Sequence, residues 1–155
     1  IMKNGSKIMS LIDGSKKMSK SDPNEGSRIN LLDPPEIITK KIKRAKSDSF
    51  NGIEFHNPDR AESRNLLMIY SLLSGKEISQ CENEFSYTKW GTFKKLITEQ
   101  LIESLEPIQE KYKVLINDPY QLKIILKDGK DKAEDLANKT LKRVKSKLGF
   151  FEMEK

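Results

Sequence analysis

Apolar and polar positions change rhythm several times along the chain, and each change marks an element. A short apolar run, Ile8, Met9, Leu11 and Ile12, lies between Gly5-Ser6 and Asp13-Gly14 and predicts a buried strand over 7–12. A lone strand cannot satisfy its own backbone hydrogen bonds, so this one calls for a sheet encoded elsewhere. Residues 28–33 form a second short apolar piece, a strand or extended turn. From Asp33-Pro34-Pro35-Glu36 the period becomes helical, with Asp33 near the N-cap, proline in the first turn, and Ile38, Ile42 and Ala45 on one face. Residues 47–63, punctuated by Asn51-Gly52 and Asn57-Pro58, read as a loop with one extended piece at 53–55. Leu66, Ile69, Tyr70 and Leu73 then follow the i, i+3, i+4, i+7 spacing of a core helix over 64–74, with Gly75 at the C-terminal cap. A short helix over 77–85 carries Cys81, and Trp90-Gly91 marks a turn. Phe93, Ile97, Leu101, Leu105, Ile108, Tyr112 and Leu115 keep one stripe through Pro107, where a kink is expected. Asn117-Asp118-Pro119 ends that helix. Residues 120–126 predict a further short helix closed by Asp128-Gly129. A last helix over 131–148 puts Ala133, Leu136, Ala137, Thr140, Leu141, Val144 and Leu148 on one face, and 149–155 are expected to fray. The pattern is mainly α: a helical bundle preceded by one strand and a polar loop.

Composition narrows the chemistry. The 155 residues are 35% hydrophobic and 34% charged, which suits a protein rich in exposed helix, and 7% aromatic content points to a core of Leu and Ile. No apolar run approaches the roughly 20 residues that span a bilayer. One cysteine, Cys81, excludes an internal disulfide and reads as a buried small apolar residue. One histidine, His56, with one cysteine makes no zinc constellation, and no nucleophile is patterned with it, so it reads as a surface or packing residue. The sole tryptophan, Trp90, reads as a packing anchor rather than a ligand platform. The net charge is +6, and its placement matters more than its size. Between Lys16 and Lys46 nine cations face four carboxylates, a local excess of +5 that suits a polyanionic partner. Five of those cations, Lys40, Lys41, Lys43, Arg44 and Lys46, crowd the end of the first helix. They fit either a solvated face that complements the helix dipole or a contact with RNA phosphates.

The densest chemistry lies in Gly14-Ser15-Lys16-Lys17-Met18-Ser19-Lys20-Ser21-Asp22-Pro23. Gly14 permits a positive φ, and Asp22-Pro23 biases the exit toward a turn. Three lysines and three serines stand between them with almost no apolar material, so the loop should move. Clustered ammonium groups repel one another, and a polyphosphate relieves that through charge-assisted hydrogen bonds. Lys/Ser-rich loops are commonly plain solvated surface, and the Gly-x-x-x-x-Gly-Lys-Ser/Thr spacing of a Walker loop is missing.

The order of residues separates these readings. Lys17-Met18-Ser19-Lys20-Ser21 is a complete match to the KMSKS signature and resembles that of class I aminoacyl-tRNA synthetases. Its flanks, Lys7-Ile8-Met9-Ser10-Leu11, Asp22-Pro23-Asn24 and Ile29-Asn30-Leu31-Leu32-Asp33, resemble bacterial-type tryptophanyl-tRNA synthetase. So does Asn65-Leu66-Leu67-Met68-Ile69-Tyr70-Ser71-Leu72-Leu73-Ser74-Gly75, in a variant closest to the cyanobacterial or plastid branch. The resemblance implies that 1–32 close a truncated Rossmann-type catalytic domain and carry the KMSKS loop. It implies a helical anticodon-binding domain over 33–130, and a C-terminal helix over 131–155 that packs back toward the catalytic fold. The chain opens on Ile1 in mid-segment, and we expect it to be the C-terminal portion of a longer protein.

The resemblance also implies roles. The backbone at Ile8 and Met9 would lie against the adenine of ATP, and Lys17, Met18, Ser19, Lys20 and Ser21 would close over its triphosphate. Lys20, then Lys17, would stabilise charge on the departing pyrophosphate. ATP enters as substrate with Mg2+ on its phosphates and no protein-bound metal. The implied partners are L-tryptophan and tRNA(Trp), in a cytoplasmic or plastid-stromal homodimer. The His-Ile-Gly-His-type signature and the amino-acid pocket are missing from these residues, so the fragment by itself is expected to be inactive. Three alternatives stand beside this one: a non-catalytic helical RNA-binding module, a helical protein–protein adaptor, and the related tyrosyl-tRNA synthetase, which shares the loop.

Overall fold

Residues 5–150 are described by the computed structural model, and among them five α-helices carry the chain. They are α1 (Pro35–Arg44), α2 (Ala61–Ser74), α3 (Ile78–Phe85), α4 (Trp90–Ile116) and α5 (Pro119–Leu148). The chain divides into two units, Ile1–Gln109 and Glu110–Lys155.

The first unit is built on the predicted apolar faces. Ile38 and Ile42 of α1 with its C-cap Ala45, Leu66, Leu67 and Tyr70 of α2, Cys81 and Phe85 of α3, and Phe93, Ile97, Leu101 and Leu105 of α4 form one core with Leu11 and Ile53. At its centre Phe85 meets Tyr70 edge-on at 4.9 Å and Phe93 at 4.9 Å, arrangements that add about 0.5–1.5 kcal/mol each beyond area burial. Gly75 ends α2 in the left-handed conformation, as its position predicts. Glu77 and Gln80 form a reciprocal capping box at the start of α3. Cys81 is fully buried and His56 is exposed.

Several expectations are corrected. The strand over 7–12 reduces to one antiparallel bridge, Met9 with Lys17, and Leu11 spends its backbone groups on irregular segments instead, its N–H on Ser27 O (2.9 Å) and its O on Lys46 N–H (2.7 Å). The extended piece at 53–55 joins no strand among the described residues. That segment spends its donors on other elements: Ile53 N–H on Phe85 O (3.0 Å), Glu54 N–H on Ser63 Oγ (2.8 Å) and Phe55 N–H on Glu82 Oε1 (2.7 Å). Asp33 does not cap α1. Pro34 holds the cap position, while the Asp33 carboxylate turns inward to Asn30 and Lys41. Trp90-Gly91 is no turn but the first step of α4.

In the second unit the two predicted helices are one. α5 runs through Asp128-Gly129 without a break. A mid-helix glycine costs about 1 kcal/mol against alanine. Here Lys127–Asp131 (2.9 Å) and Asp128–Lys132 (2.7 Å) straddle it and Lys130–Glu134 (3.7 Å) follows directly, and such pairs contribute about 0.2–0.5 kcal/mol each. The apolar stripe of 131–148 is real in register yet uncovered: no residue of α5 is buried, and Leu136 is 70% exposed. Gly149 and Phe150 do not fray. Gly149 caps α5 in the left-handed conformation, with both N–H groups donating to its last turn. The rest of the expected frayed tail, 151–155, and the predicted opening at 1–4 lie outside the described residues.

Candidate functional site

The loop that carries the lysine motif is a hairpin with a fixed root and a free tip. Ser10 N–H donates to Lys16 O (2.8 Å) and Met18 N–H to Ile8 O (2.9 Å), which closes the two arms. Asp13 makes the turn between them. Its carboxylate accepts the Ser15 hydroxyl (2.6 Å) and backbone N–H (3.1 Å) and pairs with Lys16 Nζ (3.1 Å), and these contacts hold its pKa at about 2. Met18 is half-buried against the core and serves as the loop's apolar anchor, which composition alone did not suggest. Beyond it Lys17, Ser19, Lys20 and Ser21 are exposed. Among the described residues neither Lys17 nor Lys20 meets a carboxylate, so both charges are available to an incoming anion. The Ser19 and Ser21 hydroxyls face each other at 3.2 Å, and Arg28 Nη1 holds Asp22 O at 2.8 Å where the loop exits.

The root is held by α2. The buried Asn65 side chain accepts Met9 N–H (2.8 Å) and returns its amide to Met9 O (2.8 Å) and Ser10 O (3.4 Å). In effect Asn65 behaves as the missing neighbouring strand. Gly14 does not use a positive φ; its role is close approach, since a Cβ there would lie 2.7 Å from the Ala61 backbone. Lys46 adds two ties: its N–H donates to Leu11 O (2.7 Å) and its ammonium pairs with Glu62 at 2.8 Å. The Lys46 ammonium lowers the Glu62 pKa, and burial opposes it only in part. Pattern reading passed over Asn65 and Glu62. Their signal was polar identity beside the apolar stripe of a core helix.

The cations of α1 part company. Lys40, Lys43 and Arg44 are exposed and, among the described residues, unpaired. Lys41 is instead buried, and its Nζ lies 2.5 Å from Asp33. The reason is periodic, because 41 falls with 38, 42 and 45 on the core face. Burial pushes the Asp33 carboxyl up, but Lys41 and the Asn30 N–H groups outweigh it and the net shift is downward. Lys46 is mostly exposed, but it is engaged by Glu62 rather than free.

Trp90 packs as expected against Phe93, and its Nε1–H donates to Asp48 at 3.1 Å. Asp48 also receives the guanidinium of Arg60, which is 1% exposed, at 2.8 and 3.0 Å. Trp90 further lines a cleft of about 570 Å3 between α1 and α4, together with Lys43, Lys94 and Lys95. Among the described residues no three metal-ligating side chains gather, and no helix is long and apolar enough to cross a membrane.

Comparison with known proteins fits this arrangement. Residues 1–106 match the family described as tRNA synthetases class I (W and Y). The tryptophan–tRNA ligase of Prochlorococcus marinus subsp. pastoris is 77% identical over 155 residues, all of this chain and 46% of that protein. The chloroplastic/mitochondrial tryptophan–tRNA ligase of Arabidopsis thaliana is 47% identical over 148 residues, 96% of this chain and 36% of that one. A crystal structure of tryptophanyl-tRNA synthetase from Mycoplasma pneumoniae superposes with a TM-score of 0.86 at 32% identity, covering 97% of this chain and 45% of that one. The chain spans about half the length of the relatives it matches. With a match over more than two thirds of its residues, it belongs to the class I tRNA synthetases of the tryptophan and tyrosine type.

Proposed function

We propose that this chain is the C-terminal portion of a tryptophan–tRNA ligase, with 17–21 serving ATP-dependent activation of L-tryptophan. The observation that carries the reading is the KMSKS hairpin, with its root pinned by Asn65 and Gly14 and its lysine tips exposed and unpaired among the described residues. In the first step the carboxylate of tryptophan attacks the α-phosphorus of ATP, and pyrophosphate leaves to give tryptophanyl-adenylate. In the second, a terminal ribose hydroxyl of tRNA(Trp) attacks the acyl carbon and AMP leaves. Mg2+ enters on the ATP phosphates as part of the substrate.

No protein nucleophile is required. Catalysis here is positioning and electrostatics. Lys20, with Lys17, meets the charge that grows on the leaving pyrophosphate, and the Ser19 and Ser21 hydroxyls add donors. Met18 hinges the tip against the core. The apolar surface at Ile8 and Met9 lies against adenine, since Met9 N–H is already taken by Asn65. The helices of 33–130 meet the tRNA through Lys40, Lys43 and Arg44. The apolar side chains of α5 pack on the catalytic part of the complete protein, a homodimer of the cytoplasm or plastid stroma.

The test is ATP–pyrophosphate exchange by the full-length protein. Exchange should depend on tryptophan and not on tyrosine, and Lys20→Ala should lower the rate on the order of 10²–10³. A Lys20→Ala protein as active as its parent would remove the catalytic reading, and tyrosine-dependent exchange would transfer it to the sister enzyme.

A further inference from the structure

We propose that Glu62 is a positioning residue for the amino-acid activation step, fixing the direction in which the hairpin presents Lys17 and Lys20 to the triphosphate. The inference rests on the reading that this loop serves ATP-dependent activation, and it adds a residue that touches no substrate. It also gives Lys46, expected from the sequence to meet RNA, a part in a step that needs no RNA.

The hairpin is gripped by α2 at two places one helical turn apart. Asn65 holds the incoming arm through Met9 N–H (2.8 Å) and Met9 O (2.8 Å). Glu62, at i−3 on the same face of the helix, meets the turn. Its carboxylate pairs with Lys46 Nζ at 2.8 Å, while Lys46 N–H donates to Leu11 O at 2.7 Å. Lys46 first, then the N–H groups of Glu62 itself and of Gly14, hold the Glu62 pKa low against burial. Gly14 lets the turn come this close, since a Cβ there would lie 2.8 Å from Glu62 N.

A body gripped at one point swings, and gripped at two it keeps a heading. Met18 against the core does not replace the second grip, because apolar contact is non-directional. The heading matters because Lys17 and Lys20 meet no carboxylate among the described residues that could steer them. A displacement of about 1 Å between reacting groups costs on the order of 10²-fold in rate.

The exposure of the two partners separates positioning from stability. The Glu62 side chain is 13% exposed and that of Lys46 60%, and a pair so open on one side stabilises a fold little. A carboxylate on the closed side must still find hydrogen-bond donors. Arg60, the N-cap of α2, makes no side-chain cap bond, so Glu62 serves its own N–H there together with Gly14 and Lys46. Its contacts thus join three segments at one point: the hairpin turn, the residue after α1, and the first turn of α2.

The experiment is ATP–pyrophosphate exchange by the full-length protein without tRNA. Glu62→Gln keeps the size of the side chain and an acceptor for Gly14 N–H but releases Lys46. It should lower kcat about 10-fold, a fraction of the cost of a full 1 Å displacement. The KM for tryptophan should stay unchanged, since the loop's heading bears on the leaving pyrophosphate and not on the amino acid. Lys46→Ala should act alike, and Lys46→Arg, which keeps a cation within reach of Glu62, should recover most of the rate. In the double variant Glu62→Gln/Lys46→Ala the losses should not multiply, because both remove one contact.

An unchanged kcat in Glu62→Gln, or losses that multiply in the double variant, overturns the positioning role and leaves the activation reading intact. Lys46→Arg as slow as Lys46→Ala overturns it too, because the pairing is then not what counts. So does a KM for tryptophan that rises as kcat falls, which marks a general loss of structure. A parent protein without tryptophan-dependent exchange overturns both readings.

Discussion

Replacing Asn65 with leucine keeps the bulk of the side chain and removes every hydrogen bond it gives the loop root. Met9 N–H loses its acceptor at 2.8 Å, and Met9 O and Ser10 O lose a donor at 2.8 and 3.4 Å. An unsatisfied buried donor costs about 1–3 kcal/mol, and each lost hydrogen bond of ordinary quality about 0.5–1.5 kcal/mol. Met9 is half-buried and can recruit some water, and the contact at 3.4 Å is weak. The expected loss is therefore about 2–3 kcal/mol. Urea unfolding of the chain followed by circular dichroism should show a lower midpoint at unchanged slope. Amide exchange should localise the damage to Met9, Ser10 and Met18, whose N–H groups form the root. Asn65→Asp separates the two halves of the clasp, since it retains an acceptor for Met9 N–H but turns a carboxylate toward two carbonyl oxygens. It should be at least as damaging as leucine. If Asn65→Leu instead unfolds within about 0.5 kcal/mol of the parent, the root is not held by this side chain and the reasoning fails.

Gly52→Ala should cost more than about 2 kcal/mol, because left-handed backbone alone strains an L-residue by about 1–2 kcal/mol. With φ at +74° the new Cβ would also lie 1.9 Å from Ser86 O, and thermal unfolding would show it. Gly14→Ala should displace the hairpin from α2 and increase exchange at Lys16 and Met18 amides, with the helical circular dichroism signal unchanged. Asp48→Asn should cost about 3–5 kcal/mol in urea unfolding, since it leaves the Arg60 charge buried beside Glu54 alone at 3.5 Å. Asp33 and Asp48 have folded-state pKa values below the usual 3.8, burial being outweighed by Lys41 in one and Arg60 with Trp90 in the other. Their contribution to stability is complete above that value and is lost as pH falls through the lower folded values. Asp33→Asn should therefore flatten the acid limb of a stability–pH curve.

Local periodicity was enough to find the helices, because a 3.6-residue apolar rhythm has few other solutions. Ile38, Ile42 and Ala45 on α1 and Leu66 and Tyr70 on α2 are buried as that rhythm requires. The same rhythm, applied to charge, would have removed Lys41 from the exposed set. The continuity of α5 was hidden because Gly129 and two aspartates look like a stop until the i,i+4 pairs across them are counted. The motif at 17–21 was visible as a string of residues. Its footing was not, because Asn65 and Ala61 lie far along the chain from Met9 and Gly14, and no window of local pattern spans that distance.

That distance has a consequence for how the protein is made. Met9 and Asn65 are separated by 56 positions, so during vectorial synthesis the cationic hairpin leaves the ribosome well before its seat exists. It then waits for α1 to form and α2 to emerge, and long-range closure of this kind comes late in folding. Until then Met9 N–H lacks its acceptor and exchanges freely with solvent. Protection of the Met9 amide thus marks the moment when α2 has docked against the root of the hairpin.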